Sequence, residues 1–329
     1  MEKVRWGILS TAAIGQKKVI PAIQAGMYCE VTAIASREYG KARAAADRLG
    51  LGKAYGSYEE LLADPDIDAI YNPLPNHLHV DWSIKALWAG KHVLCEKPIG
   101  LNAIDGERLL LAAASRPDLK VMEAFMYRLH PQWQRARRLV AEGAIGTLLA
   151  VESFFSYCNV DANNIRNQAD VGGGALMDIG CYCLSLSRLL FEAEPKRVIG
   201  VMFHDEKFGT DYLTSAILDF GHGSSIFTCS TQLEPYQRVN VVGTTGRIEI
   251  EMPFNPEPLQ STRMYHYRDG KRVEIVFEAC NQYTLQADAF SLAVLEDIGV
   301  PTPLDESLRN MRVLDSLVKS ATRGTWLVV

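Results

Sequence analysis

Segments with strand and helix patterns alternate from residue 4 to residue 122, and this alternation constrains the fold more than any other feature. Short apolar runs predict buried strands at 4–9, 30–35, 67–71 and 92–95, and amphipathic patterns predict helices at 14–25, 40–49, 58–63 and 78–89. Such alternation is typical of a doubly wound parallel sheet with right-handed crossovers. We therefore predict an amino-terminal α/β domain over residues 1–122.

After residue 122 the pattern changes to successive strands separated by turn glycines. Following a helix at 131–141, strands are predicted at 148–157, 197–203, 212–220, 225–230, 238–242 and 247–251, with helices at 285–299 and 305–323. This pattern favours an α/β domain with a large, open, mostly antiparallel sheet over residues 123–329. We expect this domain to bind substrate, and we expect its last helix to pack back towards the first domain.

Composition narrows the classes of function. A chain of 329 residues suits two domains, and its net charge of −5 argues against a nucleic-acid or anionic-membrane partner. No apolar run is long enough to span a bilayer. The seven cysteines include no C-x-x-C pair, so we expect reduced thiols in a cytoplasmic protein. Cys181 and Cys183 are too close together for a zinc site, and we expect no structural metal.

The connection after the first predicted strand resembles a dinucleotide-binding turn. In the pattern G-x-G-x-x-G, glycines allow the backbone to approach a pyrophosphate at a helix amino end. The three glycine positions are occupied by Ser10, Ala12 and Gly15, all of which are small. Ser10, Ala12, Ala13 and Ile14 are therefore candidate cofactor-binding residues, although an ordinary strand-to-helix connection would also explain this turn.

The end of the second predicted strand bears on the choice of coenzyme. An Asp or Glu at this place would bind the ribose 2′-hydroxyl of NAD. The chain has Ser36 and Arg37 instead, with Lys41 one turn later, and these groups suit a 2′-phosphate. The sequence therefore favours NADP over NAD. The alternative is a solvated ion pair between Arg37 and Glu38.

A Glu-Lys pair follows the predicted strand at 92–95 and is itself followed by proline. Because Pro98 cannot extend a strand ladder, we expect the strand to finish at Lys97. Ligands of open parallel sheets bind outside the carboxyl ends of the strands, so Lys97 would face cofactor and substrate. The alternative is a surface Glu96–Lys97 pair without a role in chemistry.

A run of three glycines precedes a predicted helix that carries Asp178 and Tyr182. These two residues are four apart, so in an α-helix they would lie one turn apart on the same face. A tyrosine hydroxyl can exchange a proton with a sugar hydroxyl if a cation such as Lys97 stabilises the phenolate. The alternative is that Tyr182 packs in the core while Asp178 caps the helix.

Taken together, these motifs resemble the Gfo/Idh/MocA oxidoreductase family over essentially the whole chain. The resemblance is carried by the stretches 7–15, 75–79, 96–98, 122–128 and 172–182. It implies a Rossmann domain followed by an open-sheet domain, and a homodimer or homotetramer. Tyr182 stands where inositol dehydrogenases have histidine. This substitution is similar to D-xylose dehydrogenases, dimeric dihydrodiol dehydrogenases, anhydrofructose reductases and sugar 3-ketoreductases.

The resemblance also implies roles for individual residues. Tyr182 and Lys97 would form the acid-base pair, and Asp178 would position the substrate or Lys97. The motif segments add further candidate cofactor-binding residues, which are Asn72, Leu74, Asn76, His79 and Glu96, besides Lys97 itself. Without the resemblance, the local sequence predicts that Asn76 caps the following helix and that His79 has a structural role. Candidate substrate contacts are Arg128, Phe155, Tyr157 and Arg166.

The expected activity is NAD(P)-dependent hydride transfer between nicotinamide C4 and a carbon of a sugar or cyclic polyol. Two other functions stay open. One is a sensor or co-regulator that binds the cofactor without turnover, and the other is an NAD-assisted glycosidase. Net cofactor turnover with free sugars distinguishes the three.

Overall fold

A computed structural model describes residues 2–329, and the chain divides into two compact units. The first unit contains the residues up to Met126 together with Asn281–Leu308, and the second contains Tyr127–Cys280 and Arg309–Val329. The assignment of cofactor binding to residues 1–122 and of substrate binding to residues 123–329 stays a prediction.

The elements are numbered in chain order. The strands are β1 (Val4–Leu9), β2 (Cys29–Ala35), β3 (Lys53–Tyr55), β4 (Ala69–Asn72), β5 (His92–Cys95), β6 (Val121–Glu123), β7 (Leu148–Cys158), β8 (Arg197–His204), β9 (Asp211–Asp219), β10 (Ser224–Ser230), β11 (Gln232–Gly243), β12 (Gly246–Ile250), β13 (Thr262–Arg268), β14 (Lys271–Phe277) and β15 (Leu327–Val328). The α-helices are α1 (Ile20–Gln24), α2 (Tyr39–Leu49), α3 (Tyr58–Leu62), α4 (His79–Trp88), α5 (Ala103–Ala114), α6 (Pro131–Ala141), α7 (Cys181–Phe191), α8 (Gln282–Leu295) and α9 (Leu304–Arg323). π-helical turns cover Gly15–Val19 and Leu176–Gly180.

The first unit contains a six-stranded parallel sheet in the order β3-β2-β1-β4-β5-β6, which confirms the predicted doubly wound fold. Because the strands are parallel, the residues that follow β1, β2, β4 and β5 lie at one edge, here called the strand-end edge. β5 ends at Cys95 rather than at the predicted Lys97. The ladder nevertheless continues for one bond, since the Glu96 amide donates to the Asn72 carbonyl at 3.0 Å.

Helix α8 belongs to the core of the first unit although it lies far along the chain. The Trp6 indole donates to Ser291 Oγ at 3.2 Å, and its ring lies 5.3 Å from that of Phe290. The helix was predicted at 285–299 but covers Gln282–Leu295. It begins earlier because the Asn281 side chain accepts a hydrogen bond from the Tyr283 amide and so caps it.

The second unit contains a nine-stranded sheet in the order β14-β13-β12-β11-β7-β10-β9-β8-β15. Its described pairs are antiparallel except β7 with β10, so the predicted mostly antiparallel sheet is confirmed. Residues of α9 from Arg309 onward pack in this unit, where Ser320 Oγ accepts a hydrogen bond from the Gly200 amide of β8 at 3.3 Å.

Candidate active site

The turn after β1 has the geometry that glycine usually provides. Ser10 has a φ of 78°, in the left-handed region, and its Oγ accepts a hydrogen bond from the Ala12 amide at 3.3 Å. Holding a non-glycine residue there costs about 1–2 kcal/mol. Ser10 therefore makes the tight turn that the first fingerprint glycine would make.

Gly15 lies at the amino end of the following helix, and its small size has no explanation in the packing of the protein. A Cβ built on Gly15 would meet its nearest atom, in the Tyr71 ring, at an ordinary 3.7 Å. Ala12 and Ile14 are half-buried, and Ala13 is exposed. The turn thus presents small residues and backbone amides to any group at the helix end, as a pyrophosphate requires. These residues fit a dinucleotide.

Of the charged residues that follow β2, Glu38 and Lys41 form an ion pair with each other and Arg37 does not take part in it. The Lys41 ammonium pairs with the Glu38 carboxylate at 2.7 Å, and both side chains are exposed. Arg37 is also exposed, and within residues 2–329 no hydrogen bond or ion pair engages its guanidinium. Ser36 is buried, and its Oγ accepts from the Glu38 amide at 3.4 Å. The alternative pair of Arg37 with Glu38 is therefore not formed.

The side chains of Asn72 and His79 are engaged within the protein. Asn72 is fully buried and donates to the His79 carbonyl at 3.0 Å and to Ser83 Oγ at 3.1 Å. The two ring nitrogens of His79 lie 2.7 Å from the carbonyl oxygens of Pro98 and Leu74. Burial lowers the pKa of His79 to about 4. His79 therefore contacts the loops that follow β4 and β5 at the strand-end edge, and Asn72 holds the His79 backbone in place.

The predicted capping role of Asn76 is wrong. Asn76 begins a short 3-10 turn, Asn76–Leu78, and α4 starts only at His79 without a side-chain cap. The proline at position 75 supplies the extended residue ahead of this turn. Asn76 is half-buried and Leu74 is buried, both within the loop that follows β4.

Glu96 and Lys97 leave the strand-end edge directly after β5. The Tyr71 hydroxyl donates to Glu96 Oε1 at 2.7 Å, and the Lys97 amide donates to Glu96 Oε2 at 3.3 Å. Glu96 and Lys97 are each half-buried. The carboxylate is therefore held by β4, which fixes the start of the segment that carries Lys97.

In the second unit, three predicted site residues meet at one carboxylate oxygen. Asp178 Oδ2 accepts hydrogen bonds from the Tyr157 hydroxyl at 2.6 Å and from Arg166 Nε at 2.8 Å. Burial and the neighbouring Asp178 charge raise the pKa of Tyr157, which keeps this hydroxyl protonated as the donor. Asp178 does not cap the helix, because it lies inside the π-helical turn Leu176–Gly180.

Tyr182 lies in the first turn of α7 and is only 5% exposed. Three rings surround it, with centroids 5.5–5.8 Å from its own, and they belong to Tyr127, Phe155 and Phe254. Phe155 also stacks on Phe254 at 5.0 Å. Phe155 is thus a wall of the Tyr182 pocket.

Arg128 is buried against α7. Its guanidinium donates to Ser185 Oγ at 2.8 Å and to the Ser185 carbonyl at 3.3 Å, and the Tyr127 hydroxyl also donates to Ser185 Oγ at 2.8 Å. These bonds anchor the helix one turn beyond Tyr182. Tyr127 and Phe254 were not predicted as site residues. The aromatic-rich segment 125–127 was the available sequence signal for Tyr127.

A groove of about 560 Å³ opens beside these residues within the second unit. It is lined by residues 155–157 of β7, by residues 235–238 and by Glu251, Met252 and Asn255. Its volume is in the range of small-ligand sites. The groove therefore adjoins the residues that hold Asp178 and enclose Tyr182.

Neither a metal centre nor an exposed membrane-spanning helix is found among the described residues. Within residues 2–329, no group of three or more His, Cys, Asp and Glu side chains could hold a metal ion. The stretch Ala169–Phe191 is long and apolar enough to cross a membrane by length and composition, but 83% of its apolar 18-residue window is buried inside the protein. It is a core helix, since α7 packs against the sheet.

Comparison with known proteins gives consistent matches. The model described as "Oxidoreductase family, NAD-binding Rossmann fold" matches residues 4–125, and that described as "GFO/IDH/MocA C-terminal domain" matches residues 133–249. The chain is 44% identical over 335 residues to an uncharacterized oxidoreductase of Rhizobium meliloti, with 100% of both chains covered. It is 41% identical over 326 residues to a D-xylose 1-dehydrogenase (NADP(+)) of Haloferax volcanii, covering 97% of this chain and 98% of the relative.

Two solved structures have similar folds. A 3-ketoreductase from Actinomadura kijaniata, in complex with NADP and TDP-benzene, gives a TM-score of 0.91 at 32% identity and covers 97% of this chain and 98% of its own. An aldose-aldose oxidoreductase from Caulobacter crescentus complexed with glycerol gives 0.92 at 25% identity, with 100% of both chains covered.

Proposed function

Because this chain belongs to the Gfo/Idh/MocA oxidoreductase family, we propose that it transfers a hydride between the nicotinamide of NADP(H) and a carbon of a sugar or cyclic polyol. Membership, inferred above from the motifs, is confirmed by these matches. The D-xylose 1-dehydrogenase and the 3-ketoreductase named above are both described with NADP, and the family model describes an NAD-binding oxidoreductase. The coarser activity is therefore that of an NAD(P)-dependent oxidoreductase of sugars, and the substrate and the coenzyme preference are the proposal.

The observation that carries the proposal is the aromatic enclosure of Tyr182. Three rings exclude water from this phenol, while Arg128 and Tyr127 hold its helix at Ser185. A general acid or base must be held within hydrogen-bond reach of the proton that it transfers. The three rings and the anchored helix give this phenol a fixed position, which such a role requires. We propose that Tyr182 exchanges the proton of the reacting hydroxyl.

Lys97 is proposed as the partner of Tyr182. It leaves the strand-end edge at β5, where ligands of parallel sheets bind, and the Glu96 carboxylate fixes the start of its segment. An ammonium at the reacting oxygen would stabilise a phenolate on Tyr182 and orient the substrate hydroxyl. This assignment requires the Lys97 Nζ and the Tyr182 hydroxyl to face one bound sugar.

Asp178 is proposed to organise the substrate contacts. Its carboxylate holds Tyr157 and Arg166, so these groups have defined positions rather than several rotamers. Arg166 is proposed to donate to sugar hydroxyls, since its side chain is 36% exposed. Phe155 and Arg128 are proposed to act indirectly, by shaping the pocket of Tyr182 and by anchoring α7.

The coenzyme site is proposed at the strand-end edge. Ser10, Ala12, Ala13, Ile14 and Gly15 would receive the pyrophosphate, and Arg37 with Ser36 and Lys41 would receive the 2′-phosphate. The loop residues Leu74 and Asn76, with Glu96 and Lys97, would border the nicotinamide, while Asn72 and His79 support that loop. The nicotinamide, when bound, supplies or accepts the hydride.

We also propose that a second copy of this chain covers part of the large sheet. Apolar residues on one face of β8, β9 and β10 are exposed, and they include Val201, Phe203, Ile217 and Ile226. Contiguous apolar surface of this kind marks protein interfaces. We expect a homodimer or homotetramer, and light scattering of the purified protein measures its molar mass in solution. We expect the protein to be cytoplasmic.

The test is an assay of aldoses, ketoses and cyclic polyols, each with NADP and with NAD, followed at the nicotinamide absorbance band. We expect net absorbance change with at least one sugar and a preference for NADP. Release of an aglycone without net absorbance change would indicate an NAD-assisted glycosidase. Cofactor binding without either reaction would indicate a sensor.

A further inference from the structure

Asp211, the first residue of β9, holds the amino end of the helix that carries Asp178 and Tyr182. Its Oδ2 accepts hydrogen bonds from the Leu176 amide at 2.8 Å and from Thr214 Oγ1 at 2.7 Å. Leu176 begins the π-helical turn that contains Asp178 and leads into α7. The Asp211 carboxylate is only 5% exposed, so water does not compete for these bonds.

The glycines before this helix are explained by the same contact. Gly174 has a φ of 117°, and a Cβ there would overlap the Asp211 carboxylate. A Cβ on Gly173 would lie 2.5 Å from the Arg166 carbonyl oxygen, which accepts a hydrogen bond from the Gly174 amide at 2.8 Å. The glycine run is therefore a close-packed junction between β9, the Arg166 segment and the helix.

The junction connects Asp211 to the proposed chemistry through two routes. Through Leu176 it sets the position of Asp178 two residues later, and through Gly174 it sets the backbone of Arg166, whose side chain binds Asp178. Burial of an anion is costly unless hydrogen bonds compensate for it. Since burial also raises the pKa of Asp211, an uncharged residue would be the simpler choice for packing alone.

We propose that Asp211 is a positioning residue for the hydride-transfer reaction, which it serves by fixing the start of the helix that bears Asp178 and Tyr182. This inference rests on the proposed function. A displacement of reacting groups by about 1 Å can cost on the order of 100-fold in rate. Loss of the carboxylate should therefore lower turnover more than it lowers stability or cofactor affinity.

The test compares Asp211→Ala, Asp211→Asn and a control, Asp219→Asn, in the full chain. Asp219 lies at the other end of β9 and also accepts a hydrogen bond from a backbone amide, that of Gly221, at 2.7 Å. Measured quantities are kcat per folded molecule, KM for the sugar, the NADP(H) dissociation constant by fluorescence titration, and the midpoint of thermal unfolding.

We expect Asp211→Ala to lower kcat by about 10-fold or more, with an unchanged NADP(H) dissociation constant. Asp211→Asn keeps an oxygen acceptor for the Leu176 amide, so its kcat should stay within about threefold of wild type. Asp219→Asn should keep wild-type kcat. If Asp211→Ala does not fold, Thr214→Val removes one of the two donors and should lower kcat by about threefold or more.

Wild-type kcat in folded Asp211→Ala, or in Thr214→Val where the alanine variant does not fold, would overturn the inference. An equal fall of kcat in Asp219→Asn would do so too, because it would indicate general destabilisation. Absence of turnover in the wild-type protein with every sugar refutes the proposed function and this inference together. Wild-type turnover with an insensitive Asp211 refutes the positioning role alone.

Discussion

At the scale of single residues, the protein separates side chains that are engaged in structure from side chains that remain available for ligands. Asn72, His79 and Arg128 are all polar and were all candidates for ligand contact. Each is buried and hydrogen-bonded to protein atoms instead. Arg37 is the opposite case, since its guanidinium is exposed and not engaged by the described part of the chain.

Tyr182→Phe should reduce kcat by about 100-fold or more, because it removes the hydroxyl proton and retains the ring that packs against Tyr127, Phe155 and Phe254. The NADP(H) dissociation constant should remain unchanged. Steady-state kinetics and cofactor titration measure both quantities. Tyr265→Phe is the matched control, since Tyr265 is a buried tyrosine of β13 outside this pocket. Wild-type turnover in Tyr182→Phe would eliminate the assignment.

Arg37→Ala should raise the dissociation constant of NADP(H) by roughly 10- to 100-fold, because a charge-assisted bond to a phosphate is lost. NAD(H) lacks the 2′-phosphate, so its dissociation constant should change by less than about twofold. Parallel fluorescence titrations measure both, with Lys85→Ala, an exposed cation of α4, as control. Equal weakening of the two coenzymes would contradict the proposed phosphate contact.

At the scale of elements, π-helical turns occur at both proposed binding places, in Gly15–Val19 and in Leu176–Gly180. Their spacing of four residues predicted that Asp178 and Tyr182 would lie one α-helical turn apart on the same face. The π-helical turn changes the angle between the two side chains around the helix axis. Asp178 therefore accepts hydrogen bonds from Tyr157 and Arg166, while the Tyr182 ring lies in an aromatic pocket. Such turns are frequent at functional sites because they reorient side chains without ending the helix.

His79 connects two loops of the strand-end edge, and His79→Ala should loosen both. The carbonyls of Leu74 and Pro98 would lose the imidazole, which should lower the unfolding free energy by roughly 2–3 kcal/mol. NADP(H) affinity should also fall, since these loops border the proposed nicotinamide site. Urea unfolding and cofactor titration measure the two effects. His77→Ala, at an exposed neighbour, is the control, and an unchanged titration for His79→Ala would argue against the support role.

At the scale of the whole molecule, each unit contains a histidine whose burial lowers its pKa. His79 in the first unit and His130 in the second are both 1% exposed, and burial lowers the pKa of each to about 4. His130 Nδ1 accepts a hydrogen bond from the Gln132 amide at 3.2 Å at the start of α6. Protonation at Nδ1 would remove this cap.

The protein should therefore lose stability as pH falls from about 6.5 to about 4. The unfolded chain binds protons on these histidines near pH 6.5, whereas the folded chain does not until about pH 4, so their contribution is complete above pH 6.5. Each contributes on the order of 3 kcal/mol at most. Urea midpoints across this range measure the slope, which His130→Asn should reduce. A flat profile would refute the prediction.

The elements differ in how well the sequence predicts them. The predicted strands and helices of the first unit fall within a few residues of their expected bounds, because their apolar periodicity is strong. Strands β3 and β6 and helix α5 of this unit were not predicted. The hairpin β13–β14 was missed, although Asp269-Gly270 between the strands adopts positive φ angles of 52° and 70° and is a turn signal. Its strands carry many charged residues, which conceal the alternation of apolar side chains.

The sequence by itself determined four of the six parallel strands of the first unit, which are β1, β2, β4 and β5, and the residues that follow them. Apolar periodicity decides whether a segment is helix or strand, and parallel strands bring Ser10, Arg37 and Lys97 to one edge. Only the tertiary structure decided that the Tyr157 and Arg166 side chains meet at Asp178. The tertiary structure also decided that the Asp211 carboxylate binds the Leu176 amide and leaves no room for a Cβ at Gly174. These contacts join residues 12 to 35 positions apart. They depend on how separate elements pack, and no local periodicity encodes that packing.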